Sequence, residues 1–400
     1  MSNILLAWEF GENWGHLARD MPVLRRLLAT GHQILCAVSD TRMATQILGP
    51  TGIPFVQAPM CRHNARTTQP LASYAEMLIA SGYGEQDALR GLIGGWLGLY
   101  DLFRPDVVII DYAPTALLAA RIQEIPTVLL GSGFELPPPS SPLPSFRIAE
   151  KIPIERLLLA EDVVLRNINH ILASFHVHSL SQCADIFQGE HKILTTFPEL
   201  DHYGARSGQI YVGPIYDIPQ AHPAQWHKES AGVRIFAYLR PWVPNVEELL
   251  LALKAIGANV ICAFPGATLS LIQRFQTPFM QIFPAPVSIE PLLSSSDLII
   301  GYGSGLVASA LLAGAPLLLV PQWTEQYLTA KRVEALGAGL MVQGKPTQRA
   351  YSSMIGTLLQ PTFRAAAKCF AEKYSSFDNE EAITRIVDII QGVAAQGITH

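Results

Sequence analysis

Residues 297–326 read DLIIGYGSGLVASALLAGAPLLLVPQWTEQ. The apolar run after Asp297 predicts a buried parallel strand, GYGSG a turn, and residues 306–313 a helix that Gly314 ends. Gly301, Gly303 and Gly305 permit close backbone approach, and the amide N–H groups at the following helix start make a seat for a phosphate. Residues 316–320 supply a second strand, whose C-terminal end delivers Gln322, Trp323, Thr324, Glu325 and Gln326 to the same sheet edge. That edge is where open parallel sheets bind ligands. Because residues 298–324 carry no charge, a membrane span is the competing reading. Four glycines with Pro316 and Pro321 break any single helix, and the stretch suits interior strands covered by helices on both faces.

The same grammar recurs along the chain. Residues 4–8 predict a buried strand, followed by a turn holding Gly11 and Gly15, then a helix with Leu17, Met21, Leu24 and Leu28 at helical spacing, then a strand at 33–38. A second βαβ unit starts with a strand at 107–110, places Asp111 at its C-terminal end, and opens a helix at Pro114. Residues 57–97, with Arg62, His63, Asn64 and Arg66, read as an insertion forming a pocket wall or lid. The proline-rich residues 131–146 read as a stiff segment, either pocket wall or connector. After a strand at 209–213 the pattern restarts: a strand at 235–239, a helix capped by Asn245 and ended by Gly257, and strands at 260–264 and 280–283. The expected division is an N-terminal Rossmann-like domain at 1–214, a linker at 215–229, and a C-terminal Rossmann-like domain at 230–379. The helix within 380–400 is expected to cross back onto the first domain. The fold class is α/β, two doubly wound parallel sheets facing a cleft.

Composition removes several function classes. A net charge of −5, with no Lys/Arg cluster, excludes nucleic acid as the main partner. Five scattered cysteines without a C-x-x-C imply thiols in a reducing compartment, and the absence of a basic leader region points to the cytoplasm. His170, His176 and His178 match no zinc spacing, so no metal is expected. A mean hydropathy of +0.25 leaves apolar surface for a greasy substrate or a peripheral membrane contact.

His16 and Asp111 both follow strands onto the ligand edge. An imidazole titrates near neutrality and can take a proton from a hydroxyl; a carboxylate on its other nitrogen fixes the tautomer. With the Gly-His after the first strand, Tyr211–Pro214 (YVGP), the Gly-rich turn and Pro321–Gln326 (PQWTEQ), these residues make the chain resemble the family 1 glycosyltransferases of UDP-glycosyltransferase type. The resemblance spans nearly the whole chain. It implies a GT-B architecture, with the acceptor in the first domain and a nucleotide sugar in the second, no metal and no cofactor. It further implies an inverting hexosyl transfer with His16 as base, supported by Asp111. Glu325 and Gln326, with Trp323, would hold the sugar. Gly301, Tyr302, Gly303, Ser304, Gly305, Ser309, Arg240 and Val287 would bind the nucleoside diphosphate, and Trp14 and Phe134 an apolar acceptor, either a small molecule or a lipid.

Three positions depart from that pattern: Gly301 stands where relatives have histidine, Leu306 where they have Ser or Thr, and Ser309 where they have a ribose-binding glutamate. Arg240 offers a replacement charge. Without the glutamate, UDP- and dTDP-sugars fit equally. The departures also raise an alternative: a non-catalytic GT-B relative that binds a nucleotide sugar or apolar ligand as a partner subunit.

Overall fold

The computed structural model describes residues 1–11, 15–61, 69–216, 222–228 and 232–397. Trp14 and the insertion's Arg62, His63, Asn64 and Arg66 lie outside the described residues. The chain divides into two units, one of Met1–Phe197, Ala205–Asp217 and Asp378–His400, the other of Pro198–Gly204 and Ile218–Phe377.

In the first unit, strands β1 (Asn3–Trp8), β2 (Gln33–Val38), β3 (Phe55–Gln57), β4 (Val107–Asp111), β5 (Thr127–Gly131), β6 (His191–Leu194) and β7 (Ile210–Tyr211) form one sheet in the order β3-β2-β1-β4-β5-β6-β7. Every pairing is parallel. Helices cover such sheets on both faces, so the strands need apolar side chains on both faces, and all of Ile4–Trp8 and Val107–Asp111 are buried. Burying each such Leu or Ile contributes about 1.5–3 kcal/mol. Strand order reverses between β1 and β4, and the register Trp8↔Asp111 puts their C-terminal ends side by side. In sheets of this kind, such a reversal opens the ligand crevice.

The second unit repeats the plan with β8 (Arg234–Tyr238), β9 (Asn259–Ala263), β10 (Met280–Phe283), β11 (Leu298–Gly301), β12 (Leu317–Leu319) and β13 (Gly339–Met341), in the order β10-β9-β8-β11-β12-β13. Its reversal lies between β8 and β11, which places Arg240 and the Gly-rich turn at the corresponding position. The uncharged stretch 298–324 is therefore strand, turn, helix and strand. No helix among the described residues is long and apolar enough to cross a membrane.

Several local details differ from the sequence reading. The helix after the Gly-rich turn is Ser304–Leu312, two residues earlier than expected, because Gly303 at φ +86° makes the turn and frees Ser304 to start the helix. On helix Gly15–Ala29, Leu28 is exposed and Leu27 is buried in its place. Asn245 occupies the cap position of helix Val246–Ile256 but provides no side-chain cap; its amide donates to the Pro346 carbonyl instead, at 3.0 Å. The proline-rich segment, read as a stiff pocket wall or connector, is packed, with Phe134, Leu136, Leu143 and Phe146 buried and the Phe146 N–H donating to the Ala72 carbonyl. Helix Asn379–Gly397 packs on helix Gly15–Ala29, with the Arg26–Glu380 ion pair at 2.6 Å.

Candidate functional site

His16 is the second residue of helix Gly15–Ala29, so it stands in the helix's first turn beside the end of β4. His16 Nδ1 lies 2.9 Å from both Asp111 carboxylate oxygens. This carboxylate leaves Nδ1 as the protonated nitrogen and Nε2 as the basic one. Gly11, at φ +84°, passes against Nε2, and a Cβ there would sit 2.4 Å from it. The imidazole also stacks on Trp8 (centroids 5.3 Å, 23°) and on Tyr112 (5.9 Å, 19°).

Behind the pair is a buried ionic cluster that the sequence reading missed. Arg19, one helical turn beyond His16, donates to Asp111, to Asp20 at 3.2 Å and to Glu135 at 3.1 Å. Glu135 also accepts the Ser132 N–H at 2.8 Å, which ties the segment after β5 to the cluster. Burial would raise the Asp111 carboxyl; Arg19 and then His16 outweigh it and hold Asp111 well below the usual carboxylate range. Asp20 behaves oppositely: burial and the Asp111 charge push it well above that range, with Arg19 offsetting only part. Nothing local announces Arg19, because two of its partners, Asp111 and Glu135, lie 92 and 116 positions away and the adjacent Asp20 makes it look like the wet face of a helix.

Among the described residues, His16, Asp111 and Glu135 are the one group of side chains close enough to share a metal. Their chemistry does not fit one. Arg19 already supplies a fixed cation to both carboxylates. The three histidines 170, 176 and 178 are exposed.

In the second unit, the Gly-rich turn leaves β11 at Gly301, and the amides at the start of helix Ser304–Leu312 follow it, with Gly305 inside the helix. A Cβ on Gly301 would lie 2.5 Å from Leu306 Cδ2, so the Leu306 side chain fills that space. Arg240 stands over the rings of Tyr238 and Trp242, each at 5.7 Å, and donates to the Tyr238 hydroxyl at 3.1 Å. Tyr302 meets Tyr238 edge-on at 5.9 Å. Burial pushes the Tyr302 phenol above its usual range, Tyr238 adds to this, and the neighbouring Arg240 opposes it. Arg240 is therefore beside the turn.

Glu325 accepts from Ser304 Oγ at 3.4 Å and lies 3.7 Å from His202 Nε2. His202 comes from the short segment Pro198–Gly204, buried and bonded to Thr329 Oγ1 at 3.0 Å. Gln326 turns back, its Oε1 accepting the Gln322 N–H at 2.9 Å, while Trp323 is 57% exposed at the N-terminus of helix Thr324–Ala335. Ser309 is half-buried further along its helix, away from the turn. Val287 is buried and bridges to His222. In the first unit Phe134 is 6% exposed, packed on Phe146 at 4.9 Å and on Tyr112 at 6.0 Å, so it offers little open ring surface.

No model of a known protein family matches the chain. It is 24% identical over 381 residues to the PGL/p-HBAD biosynthesis rhamnosyltransferase of Mycobacterium tuberculosis, covering 90% of this chain and 81% of that protein. Among solved structures, the spinosyn rhamnosyltransferase SpnG superposes with a TM-score of 0.66 at 17% identity, covering 97% of this chain and all of that one (100%). Glycosyltransferase VinC in complex with dTDP superposes with a TM-score of 0.70 at 16% identity, covering 98% and 100%. The shared fold is GT-B, two Rossmann-like halves.

Proposed function

We propose that the chain is an inverting, metal-independent glycosyltransferase that moves a hexose from a UDP- or dTDP-sugar to a hydroxyl of a hydrophobic small molecule or lipid. The observation that carries this reading is the His16–Asp111 pair at the strand-order reversal of the first sheet, 2.9 Å apart, with Nε2 as the basic nitrogen. His16 Nε2 takes the acceptor proton as the acceptor oxygen bonds to the anomeric carbon; the bond from that carbon to the diphosphate oxygen breaks, and its electron pair leaves with the nucleoside diphosphate. Attack opposite the leaving group inverts the centre. Asp111, kept ionised by Arg19, stabilises the imidazolium that forms. Arg240 and the amides opening helix Ser304–Leu312 receive the developing diphosphate charge, and Glu325 and Gln326 hold the sugar.

Two features favour the thymidine series and a 6-deoxy sugar. Ser309 has no carboxylate to clamp a ribose diol, and the similar proteins include rhamnosyltransferases and one solved with dTDP. A second reading, a nucleotide-sugar-binding protein without turnover, draws on Leu306 filling the place of a side chain at 301.

Thermal shift with UDP, dTDP and GDP, without added metal, tests the donor site, because a ligand of the native state raises stability by mass action. A dTDP response at micromolar concentration, about −8 kcal/mol, establishes the donor site that both readings require, and turnover with that donor then separates them; silence at millimolar concentration removes the transferase reading. His16→Ala is expected to abolish transfer and leave that response unchanged. An active His16→Ala protein would contradict the base assignment.

A further inference from the structure

The hydrogen bond to Asp111 fixes one atom of the His16 ring and leaves the ring plane to its neighbours. Those neighbours are aromatic. Trp8, wholly buried at the end of β1, stacks within 23° of parallel, and Tyr112, the residue after Asp111, within 19°. Tyr112 reaches that position through an uncommon backbone. Its φ is +51°, a left-handed value that a bulky aromatic adopts only where its surroundings enforce it. The enforcement is visible: the Phe10 N–H donates to the Tyr112 carbonyl at 3.0 Å, and the hydroxyl meets Met77 Sδ at 2.9 Å. The rings of Phe10, Tyr74 and Phe134 surround it edge-on at 5.6, 6.1 and 6.0 Å, whereas His16 alone among these contacts is face-on. Glycine or asparagine would make the turn without strain, so backbone geometry does not account for a tyrosine.

We infer that Tyr112, together with Trp8, is a positioning residue for His16: it fixes the imidazole plane and presents an electron-rich ring face to the imidazolium formed when the proton is taken. This rests on His16 acting as the base. The charged groups around the imidazole are Asp111 from β4, Arg19 and Asp20 from its own helix, and Glu135 from the segment after β5. All of them stay in place when only the ring at 112 is changed.

The test is the titration of His16 in the full chain, followed by NMR of isotope-labelled histidine and assigned by the signal lost in His16→Gln. It needs neither donor nor acceptor, so a failure of the proposed reaction would not disturb it. Tyr112→Phe keeps the ring and is expected to leave the His16 midpoint where it is. Tyr112→Leu keeps the site dry but removes the π face, and is expected to lower the midpoint by about half to one pH unit. Should the leucine variant not fold, pentafluorophenylalanine at 112 keeps the ring shape and reverses its charge distribution; the same downward shift is expected. A His16 midpoint unmoved by either replacement would overturn the inference, as would one lowered equally by Tyr112→Phe.

Discussion

Replacing Glu9 with glutamine should change how the stability of the protein depends on pH. Glu9 follows β1, is 6% exposed, and faces the start of helix Pro114–Ile122. Its Oε2 accepts the Thr115 N–H at 2.9 Å, Oε1 accepts the Thr115 hydroxyl, and that hydroxyl also meets the Tyr83 hydroxyl at 2.8 Å. Burial pushes the carboxyl up from the ordinary 4.5 to about 7; bonds from Thr115 and Ala116 restrain the rise without cancelling it. The folded state therefore holds the proton more tightly than the unfolded chain does. The stabilisation is complete below pH 4.5 and lost as pH rises to about 7. At about 1.4 kcal/mol per pH unit, the gap between 4.5 and about 7 is worth about 3 kcal/mol.

Urea unfolding of the wild type and Glu9→Gln at about pH 5 and about pH 8 measures it. Other titrating groups, Asp20 among them, are common to both proteins and cancel in the difference. Relative to the variant, the wild type should lose about 2–3 kcal/mol between the two pH values. A stability difference that does not change with pH would refute the assignment of a shared, buried proton to Glu9.

Three further outcomes follow from close contacts. Arg19→Met leaves Asp111 and Glu135 buried without their cation and should destabilise the protein by about 3–5 kcal/mol at neutral pH, measured by urea unfolding; a loss under about 1 kcal/mol would mean water reaches those carboxylates. Gly11→Ala drives a methyl group to 2.4 Å from His16 Nε2, and should lower kcat/KM by about tenfold or more while dTDP affinity holds. Gly339→Ala, in β13, places a Cβ 2.6 Å from the Leu317 carbonyl and 2.8 Å from Val333 Cγ1; because the first is backbone and cannot turn aside, thermal unfolding should show a loss of about 1–3 kcal/mol.

The fold was legible because its signals are local. Buried parallel strands need apolar side chains on both faces, so LLAW, VVII and LLL announce themselves, and Gly11 and Gly301–Gly303 mark where β1 and β11 end. The two strand ends carrying the His16 helix and Asp111 follow from topology alone, since consecutive βαβ units turn the same way. What supports that pair is not local. Arg19, Glu135 and Tyr112 matter through partners in other elements, and a sequence window shows only an amphipathic helix, a proline-rich stretch and an aromatic after a strand. His202 was hidden for a related reason: it belongs to a seven-residue segment that leaves one unit and contributes to the other. The helix start at Ser304 was misjudged because three glycines in five residues leave the end of the turn to tertiary packing.

The departures at 301 and 306 are one event in three dimensions. In sequence they are five positions apart and read as two separate losses from a diphosphate site. In the structure a helical side chain points back toward the helix start, so Leu306 leans over the end of β11, and the space it fills is the space a side chain on residue 301 would need. Any polar group restored at 301 meets Leu306 first, and shrinking Leu306 alone opens a gap above a glycine. The next atoms that a Cβ at 301 would meet belong to Tyr238, at 3.5 and 3.6 Å, and the Tyr238 hydroxyl in turn accepts from Arg240. Positive charge thus reaches the turn from the segment after the neighbouring strand β8, across the strand-order reversal, rather than from β11 itself. A guanidinium lying over two aromatic rings is charged at every physiological pH, so under the proposed function the charge it would offer a diphosphate would not depend on pH.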